Sequence, residues 1–188
     1  MTERIRLERA DTWQKVAQED WDLVVIGGGI TGAGVAREAA RRGIKTLLIE
    51  QRDYAWGTSS RSSKMVHGGL RYIAQGDIKL TWHSLAERER LLIEAPGLVT
   101  RMGYWFAHYR RAFPGRFVFG ILLRFYDMLA GVRDRQFLKP KDFLERVPGY
   151  QGANLTGASR YTDALVDDSR LVMRVLDEAC ADGALALN

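Results

Sequence analysis

A glycine-rich loop between a predicted strand and a predicted helix constrains this chain more than any other feature. Residues 21–26 (WDLVVI) are a short, β-branched apolar run, typical of a buried parallel strand. Residues 27–32 (GGGITG) follow with the G-x-G-x-x-G spacing, and residues 30–42 then change to helical spacing with alanines on one side. Gly43 ends this helix, and residues 45–49 (KTLLI) form a second predicted strand. Strand, helix and strand within about thirty residues predict a βαβ unit and a parallel sheet.

The glycines of this spacing have distinct physical roles. Gly27 permits a tight turn, Gly29 lets the backbone approach a pyrophosphate, and Gly32 allows the helix to pack closely on the strand. The helix N-terminus then offers N–H groups and a positive dipole end to phosphates. Glu50 lies 18 residues after Gly32, at the end of the second strand, where its carboxylate can accept hydrogen bonds from an adenosine ribose. The pattern predicts a dinucleotide site but does not by itself separate FAD from NAD.

Residues 58–72 (TSSRSSKMVHGGLRY) concentrate polar groups in a stretch without periodicity. Gly68 and Gly69 allow the chain to pass flat against a planar ligand. Arg71 adds a fixed cation and Tyr72 a hydroxyl, a combination that suits a phosphate. These residues alone predict an ordered loop for an anion and a cofactor.

The middle of the chain is interpreted mainly as helices. Asp77 is predicted to cap a helix that runs to about Ala95, and residues 97–114 are predicted to be irregular. Residues 116–129 (RFVFGILLRFYDML) are the most hydrophobic stretch, but they are too short and too charged to span a bilayer. A core helix is the favoured interpretation, and a helix that lies in a membrane interface stays open as the alternative.

The carboxy-terminal residues predict one further helix and the start of a strand. The helix begins after Asp168, which is interpreted as its N-cap, and Gly183 ends it. Cys180 is expected on the buried face of this helix, and residues 184–187 are expected to begin a strand. Because Cys180 is the single cysteine, an internal disulfide framework is excluded and a reducing compartment is favoured.

The charge balance restricts the class of partner. The 188 residues carry a formal net charge of +5, which favours an anionic substrate, an anionic cofactor or an acidic membrane surface. The basic residues are dispersed among acidic ones, so no nucleic acid partner is predicted.

Residues 1–20 contain acidic residues and no apolar core, so a lead-in helix is predicted there and not a targeting signal. No metal site is predicted.

Several motifs in this order carry a resemblance to one family. They are GGGITGAGVAREAARRG (27–43), Glu50, GTSSRSSK-x-x-HGGLRY (57–72), SLAERERLL (84–92) and YTDALVDDSRLV (161–172). Together they resemble the amino-terminal part of FAD-dependent glycerol-3-phosphate dehydrogenases. The resemblance implies an α/β fold with a Rossmann-like FAD-binding domain over residues 21–188, truncated before the substrate domain is complete.

The resemblance also implies FAD as the cofactor and roles for individual residues. The implied cofactor-binding residues are Gly27, Gly28, Gly29, Gly32, Glu50, Thr58, Ser59, Ser60, Ser63, Lys64, His67, Gly68 and Gly69. The glycine loop and Glu50 match the pyrophosphate and ribose positions. The serine-rich run (residues 58–63), together with Lys64, matches the pyrophosphate and flavin side. His67 and the two glycines after it match positions near the isoalloxazine, while Arg71 and Tyr72 match positions that face a substrate phosphate.

The implied reaction is the oxidation of sn-glycerol 3-phosphate to dihydroxyacetone phosphate, with electrons passed to a quinone or another acceptor. The implied location is the cytoplasm, and peripheral contact with the inner face of the cytoplasmic membrane stays open. The general base is expected in a part of the enzyme that this chain lacks. Three alternatives remain: a flavin-dependent amino-acid or amine oxidase, a non-catalytic nucleotide-binding remnant, and a plain NAD-binding domain with a short loop after Glu50.

Overall fold

The computed structural model describes residues 9–188, with side chains from residue 11 onward. These residues divide into two units. The first contains the described residues up to Ser63 together with Asp167–Asn188, and the second contains Lys64–Val166. We call them the parallel-sheet unit and the antiparallel-sheet unit, after the sheet that each contains. The predicted lead-in helix over residues 1–20 falls partly outside the described range.

The elements are, in chain order, α1 (Arg9–Gln18), β1 (Leu23–Ile26), α2 (Ile30–Arg41), β2 (Thr46–Ile49), β3 (Met65–Val66), α3 (Leu70–Ala74), α4 (Ile78–Glu94), β4 (Val99–Tyr109), α5 (Arg116–Ala130), β5 (Gln136–Leu138), α6 (Pro140–Arg146), β6 (Leu155–Val166), α7 (Asp168–Ala181) and β7 (Leu185–Leu187). A short 3₁₀ turn covers Thr58–Ser60, inside the predicted loop. The first unit contains a parallel sheet in the order β1-β2-β7. This sheet and helix α2 confirm the predicted βαβ unit and the predicted strand at residues 184–187.

The core of the parallel-sheet unit lies between the sheet and two helices, α2 and α7. Ala33, Ala36 and Ala40 of α2 are buried and belong to one cluster with Val172 and Leu176 of α7. Alanine side chains are small, so the two helices can approach closely while both cover the same face of the sheet. The predicted alanine face of α2 is therefore confirmed.

The antiparallel-sheet unit is built on a long ladder between β4 and β6. Residues 99–109 pair with residues 155–166, and β3 and β5 add short pairings to β6. The prediction that residues 97–114 are irregular is therefore wrong. The stretch lacks the alternation that marks a half-buried strand, because most of β4 is only partly buried on both faces. Its order comes from a partner more than forty residues away in the chain, which local periodicity cannot indicate.

Helices α4 and α5 have the predicted bounds within a residue or two. The carboxylate of Asp77 accepts a hydrogen bond from the Leu80 N–H at 2.9 Å, which confirms the predicted cap. Helix α5 contacts α3, α4 and β6 through a buried face that includes Phe119 and Leu123. The core interpretation is confirmed for that face of α5. No helix within residues 9–188 is long and apolar enough to cross a bilayer.

Two details of helix α7 differ from the prediction. The N-cap is Asp167, whose carboxylate accepts from the Arg170 N–H at 3.3 Å, and not Asp168, which is the first helical residue. The Cys180 side chain is exposed, so its predicted place on the buried face is wrong. Val172, Val175, Leu176 and Ala179 form the buried face, and Cys180 follows them one position too far around the helix.

Candidate functional site

The glycine loop joins β1 to α2 in a conformation that requires glycine at two positions. Gly27 has φ +111°, a backbone conformation that side chains rarely adopt. A Cβ atom at Gly32 would lie 1.9 Å from the Gly27 carbonyl oxygen, so any side chain there would collide with the backbone of the loop. Gly27 N–H donates to the Ile49 carbonyl at 2.8 Å, which fixes the loop against β2. The loop is held at the carboxyl end of the sheet.

The serine-rich run reaches the N-terminus of α2. Ile30 N–H donates to Ser59 Oγ at 3.0 Å, and a Cβ atom at Gly29 would lie 3.1 Å from that same oxygen. The first N–H groups of a helix have no partner within the helix and attract anions. Ser59, in the 3₁₀ turn of Thr58–Ser60, thus lies where a phosphate oxygen would meet α2.

Glu50 ends β2 beside the glycine loop, as the sequence predicts. Its Oε2 accepts from Gly28 N–H at 2.7 Å and its Oε1 accepts from Arg52 N–H at 2.8 Å. The hydrogen bond from Gly28, followed by the one from Arg52, lowers the pKa of Glu50 below its ordinary value of 4.5. The half-buried side chain is therefore an ionised hydrogen-bond acceptor at neutral pH.

A cavity of about 810 Å³ opens beside these groups within the parallel-sheet unit. Its lining consists of Trp13, Val16, Ile26, Gly27, Leu47, Ile49, Glu50, Gln51, Leu187 and Asn188. The residues at the ends of β1, β2 and β7 contribute to this lining, and ligands of open parallel sheets bind outside the carboxyl ends of the strands. Apolar walls with one ionised carboxylate suit a nucleoside with ribose hydroxyls.

A second anchor holds the serine-rich run within the same unit. Asp168, at the start of α7, is buried and accepts from Ser62 Oγ at 2.8 Å and from Ser62 N–H at 3.2 Å. The sequence indicated Asp168 only as a cap, so this contact was missed. It fixes the run from the side of α7, while Ser59 fixes it from the side of α2.

Residues 67–72 lie in the antiparallel-sheet unit, at the turn between β3 and α3. His67 is exposed and its ring centroid lies 5.7 Å from that of Tyr72. Gly69 is the N-cap of α3 with φ +83°, and Arg71 and Tyr72 follow on that helix. Lys64, which precedes β3, also has positive φ (+57°) although it is not glycine. The turn thus presents an imidazole, a guanidinium and a phenol from one short segment.

A buried polar network lies directly beneath this turn. Asp163 Oδ1 accepts from Gly68 N–H at 2.8 Å, from Arg88 Nη1 at 2.7 Å and from the Tyr126 hydroxyl at 2.5 Å. The side chains of Arg88 and Asp163 are 1 % and 2 % exposed, so this ion pair is almost fully withdrawn from water. Burial, and then the negative charge of Asp163, raises the pKa of Tyr126, which keeps its hydroxyl protonated and able to donate.

Sequence reasoning missed this network although it singled out the surrounding motifs. Asp163 lies within YTDALVDDSRLV, but no partner for its carboxylate was predicted. The buried face of α4 consists of Thr81, Leu85 and Arg88. Their spacings of four and three place Arg88 on the same helical face as Leu85, and that signal was available. The pairing of Arg88 with Asp163, 75 residues away, could not be predicted from this spacing.

The parallel βαβ sheet with this loop and terminal carboxylate defines a dinucleotide-binding protein of the Rossmann-like class. A family model described as FAD dependent oxidoreductase matches residues 22–188, and the chain belongs to that family.

Two curated relatives and one solved structure show which members of this family the chain is similar to. The chain is 42% identical over 184 residues to glycerol-3-phosphate dehydrogenase 2 of Mycobacterium tuberculosis (strain ATCC 25618 / H37Rv), which covers 95% of this chain and 31% of that protein. It is 40% identical over 185 residues to aerobic glycerol-3-phosphate dehydrogenase of Bacillus subtilis (strain 168), covering 97% and 33% respectively. The solved structure of glycerol-3-phosphate dehydrogenase from Bacillus halodurans complexed with FAD is 33% identical with a TM-score of 0.70, covering 96% of this chain and 28% of that one. The chain thus spans about a third of the length of the relatives it matches.

The described residues fit FAD, the cofactor of this family. The glycine loop leaves no space for a side chain at Gly32, and it ends at a helix N-terminus suited to phosphate. Glu50 supplies an ionised acceptor at the edge of a cavity with apolar walls. These are the groups that a pyrophosphate and an adenosine ribose require.

Proposed function

We propose that the chain binds FAD and forms part of an enzyme that oxidises sn-glycerol 3-phosphate to dihydroxyacetone phosphate. The observation that carries the proposal is the loop of residues 27–32 closed against Glu50 and Ser59, in a chain whose relatives are glycerol-3-phosphate dehydrogenases. Because those relatives are about three times longer, the activity is proposed for a protein that supplies the remaining parts.

Each predicted site residue has a proposed role. In the parallel-sheet unit, Gly27, Gly28, Gly29, Gly32 and Glu50 hold the pyrophosphate and ribose, and Thr58, Ser59, Ser60 and Ser63 donate along the pyrophosphate. In the antiparallel-sheet unit, Lys64, His67, Gly68 and Gly69 contact the flavin side, while Arg71 and Tyr72 bind the substrate phosphate. Short polar side chains and backbone N–H groups suit phosphate oxygens, and an exposed arginine can bind a phosphate with two parallel hydrogen bonds.

Removal of a hydride from C2 and a proton from its hydroxyl converts the secondary alcohol to the ketone. FAD, when bound, supplies the acceptor for the electron pair. The residues of this chain contribute binding and orientation: Arg71 and Tyr72 fix the phosphate end of the substrate, and His67 lies beside Tyr72 on the same turn. We assign the general base to no residue of this chain.

We further propose a quinone or another acceptor as the electron partner, and peripheral contact with the cytoplasmic membrane surface for a protein of the cytoplasm. The outer face of α5 supports the membrane contact. Phe117, Ile121 and Met128 are largely exposed there, and Arg116 and Arg124 lie on the same helix. Exposed apolar side chains flanked by cations suit an acidic lipid interface.

The membrane contact is tested by co-sedimentation with vesicles. The wild-type chain is expected to bind vesicles that contain an anionic lipid more strongly than vesicles of phosphatidylcholine alone. A Phe117→Ser/Ile121→Ser variant should lose most of that binding, whereas Met173→Ser, which changes an exposed apolar residue of α7, should retain it. Equal binding by both variants would contradict the contact through α5.

The substrate is tested by anaerobic addition of glycerol 3-phosphate to a flavin-loaded protein that contains this chain together with the remaining parts of the enzyme. We expect the yellow colour to bleach with glycerol 3-phosphate and to persist with glycine or proline. Arg71→Met should raise the glycerol 3-phosphate concentration needed, while Arg90→Met, which alters an exposed arginine of α4, should not. Bleaching by an amine would instead support the amine oxidase alternative.

Two outcomes would favour the non-catalytic remnant. One is FAD binding without bleaching by any of these substrates even when the remaining parts of the enzyme are present. The other is an authentic stop codon directly after Asn188 with a stably folded product, whereas a reading frame that continues past Asn188 supports the enzyme. Binding of NAD in preference to FAD would support the plain NAD-binding domain.

A further inference from the structure

We propose that Asp163 is a positioning residue for the flavin side of the site: it fixes the backbone of Gly68 and thereby the turn that carries His67 and Arg71. This inference rests on the proposed function for its link to the flavin. The contacts that support it lie within the antiparallel-sheet unit and do not depend on a bound cofactor.

The first support is the tight enclosure of Gly68. A Cβ atom on this glycine would lie 2.0 Å from the Tyr126 hydroxyl oxygen and 2.3 Å from Leu85 Cδ2. The backbone of the turn is thus pressed onto a hydroxyl and a methyl group that are themselves buried. Gly68 cannot move inward, and the hydrogen bond to Asp163 opposes movement outward.

The second support is the convergence of donors on one oxygen. Asp163 Oδ1 receives the Gly68 N–H, the Arg88 guanidinium and the Tyr126 hydroxyl. Arg88 Nη1 also donates to the Tyr126 hydroxyl at 3.0 Å and to the Thr162 carbonyl at 3.2 Å. Each member of the network is therefore fixed by at least one other, so the position of the carboxylate is defined by packing and by several hydrogen bonds.

The third support is that the next glycine is held by a different group. The Gly69 carbonyl accepts from the hydroxyl of Thr81 at 3.2 Å and from Tyr72 N–H at 2.8 Å. Thr81 is fully buried on α4, four residues before Leu85. The inner side of the turn is thus bound at two successive residues, while the His67 and Arg71 side chains remain exposed.

The presence of a buried ion pair beneath the turn also indicates that the network positions the backbone of Gly68 and does not mainly stabilise the fold. Withdrawal of two charges from water costs free energy that their attraction offsets only in part, and well-packed apolar residues often stabilise a core at least as well. An acidic oxygen that accepts a glycine N–H supplies what an apolar residue cannot, a directional bond to one point of the backbone. The network therefore specifies where the turn lies.

The bond itself can be tested by NMR of the 188-residue chain without cofactor. In the wild type we expect the Gly68 amide proton to be shifted downfield and strongly protected from exchange with solvent. Asp163→Leu removes the acceptor and should abolish both features, whereas Asp163→Asn retains an oxygen acceptor and should restore part of them. Asp127→Asn is the matched control, since Asp127 is a buried carboxylate paired with Arg135 at 2.8 Å in the same unit. An unchanged Gly68 amide in Asp163→Leu would overturn the proposal.

The link to flavin is tested by FAD titration of the same variants at a temperature where each is folded. Asp163→Leu is expected to weaken FAD binding at least tenfold and to alter the visible absorbance of the bound flavin, with partial recovery in Asp163→Asn. Asp127→Asn should leave the affinity and the spectrum as in the wild type. Unchanged FAD affinity and spectrum in folded Asp163→Leu would overturn the positioning role. A folded wild-type chain that binds no FAD would overturn the proposed function instead, while the Gly68 amide would still report on the bond.

Discussion

Each unit of the molecule contains a carboxylate that accepts a hydrogen bond from a glycine N–H, but the two carboxylates differ in their surroundings. Glu50 Oε2 accepts from Gly28 N–H at 2.7 Å at the edge of an open cavity, and its Oε1 accepts from Arg52 N–H at 2.8 Å. Asp163 receives Gly68 at 2.8 Å beneath a packed surface, paired with the guanidinium of Arg88.

The difference in solvent exposure suits the same type of hydrogen bond, from a glycine N–H to a carboxylate, to two different roles. A carboxylate in contact with solvent can accept hydroxyl groups of a ligand at little cost, because water already competes for its oxygens. A buried carboxylate is not accessible to the hydroxyl groups of a ligand, and its charge must be stabilised by hydrogen bonds from the protein groups around it. Glu50 is therefore suited to binding, and Asp163 is suited to fixing the backbone.

The largest effect is expected from loss of the buried carboxylate. Asp163→Ala should lower the free energy of unfolding by about 3–5 kcal/mol, because it removes the buried carboxylate that pairs with Arg88 Nη1 and leaves this guanidinium paired with the partly exposed Glu89. Glu50→Ala should lower it by less than about 1 kcal/mol, since water can replace the missing acceptor. Denaturant unfolding of both variants measures the difference. Similar losses in the two variants would contradict the contrast between them.

A smaller effect on stability is expected at Gly32, whose position is fixed by backbone packing and not by a buried charge. Gly32→Ala should destabilise the chain by about 1–3 kcal/mol and abolish FAD binding, because the new methyl group would overlap the Gly27 carbonyl. Gly34→Ala, two residues further along α2, meets no atom within 4 Å and should stabilise by about 0.5–1 kcal/mol. Thermal unfolding and FAD titration check both. Equal destabilisation by the two alanines would show that helix α2 tolerates neither.

The two units are also expected to respond to acid over different pH ranges. Burial lowers the pKa of His108, whose Nε2 lies 2.8 Å from Ser159 Oγ, below its ordinary value of 6.5. The unfolded chain therefore binds a proton that the folded chain excludes. Stability from neutral His108 is fully present above pH 6.5 and is lost as the pH falls through its folded pKa, by at most about 1.4 kcal/mol per pH unit.

The pKa of Glu50 is also lowered, but from an ordinary value of 4.5, so the stability it contributes is lost only at lower pH. Amide exchange measured between pH 7 and pH 4 should show loss of protection in residues of β4 and β6 before residues of β1 and β2. A His108→Gln variant should lose the early phase. Simultaneous loss in both sheets, unchanged by that substitution, would speak against His108 as its cause.

The smallest effect on stability is expected from Glu50→Gln. The amide oxygen can still accept from Gly28, so the free energy of unfolding should change by less than about 1 kcal/mol. FAD affinity should fall by about tenfold, because a charge-assisted hydrogen bond is roughly twice as strong as a neutral one. Isothermal titration with FAD measures this, and Gln51→Ala, on the same cavity wall, serves as the control. An affinity equal to that of the wild type would exclude a role for the charge of Glu50.

The parallel-sheet unit could be predicted from the sequence because its determinants are local. The apolar run before Gly27, the alanine spacing of α2 and the acid after β2 all lie within thirty residues, about one βαβ unit. The motifs GGGITG and HGGLRY also indicated the candidate site residues, whose binding roles stay predictions.

The antiparallel-sheet unit was less predictable because long-range pairing determines it. Strand β4 has no clear alternation, and its order depends on β6. The spacing from Thr81 and Leu85 places Arg88 on the buried face of α4, unlike the exposed Arg90, but its ion pair with Asp163 could not be predicted from the local sequence. Helix α5 was predicted correctly in extent, since it is the most hydrophobic stretch of the chain and Gly131, with positive φ, follows it directly.

FAD binding by the glycine loop is tested most simply by titration of the purified, cofactor-free 188-residue chain with FAD and, in parallel, with NAD. Quenching of flavin fluorescence and calorimetry report binding, and a cooperative thermal transition establishes that the chain is folded. We expect that one FAD binds per chain, that NAD does not compete, and that Gly32→Ala removes binding while Gly34→Ala retains it. A folded chain that takes up no FAD, or that binds it equally well with alanine at position 32, would show that the glycine loop is not an FAD site.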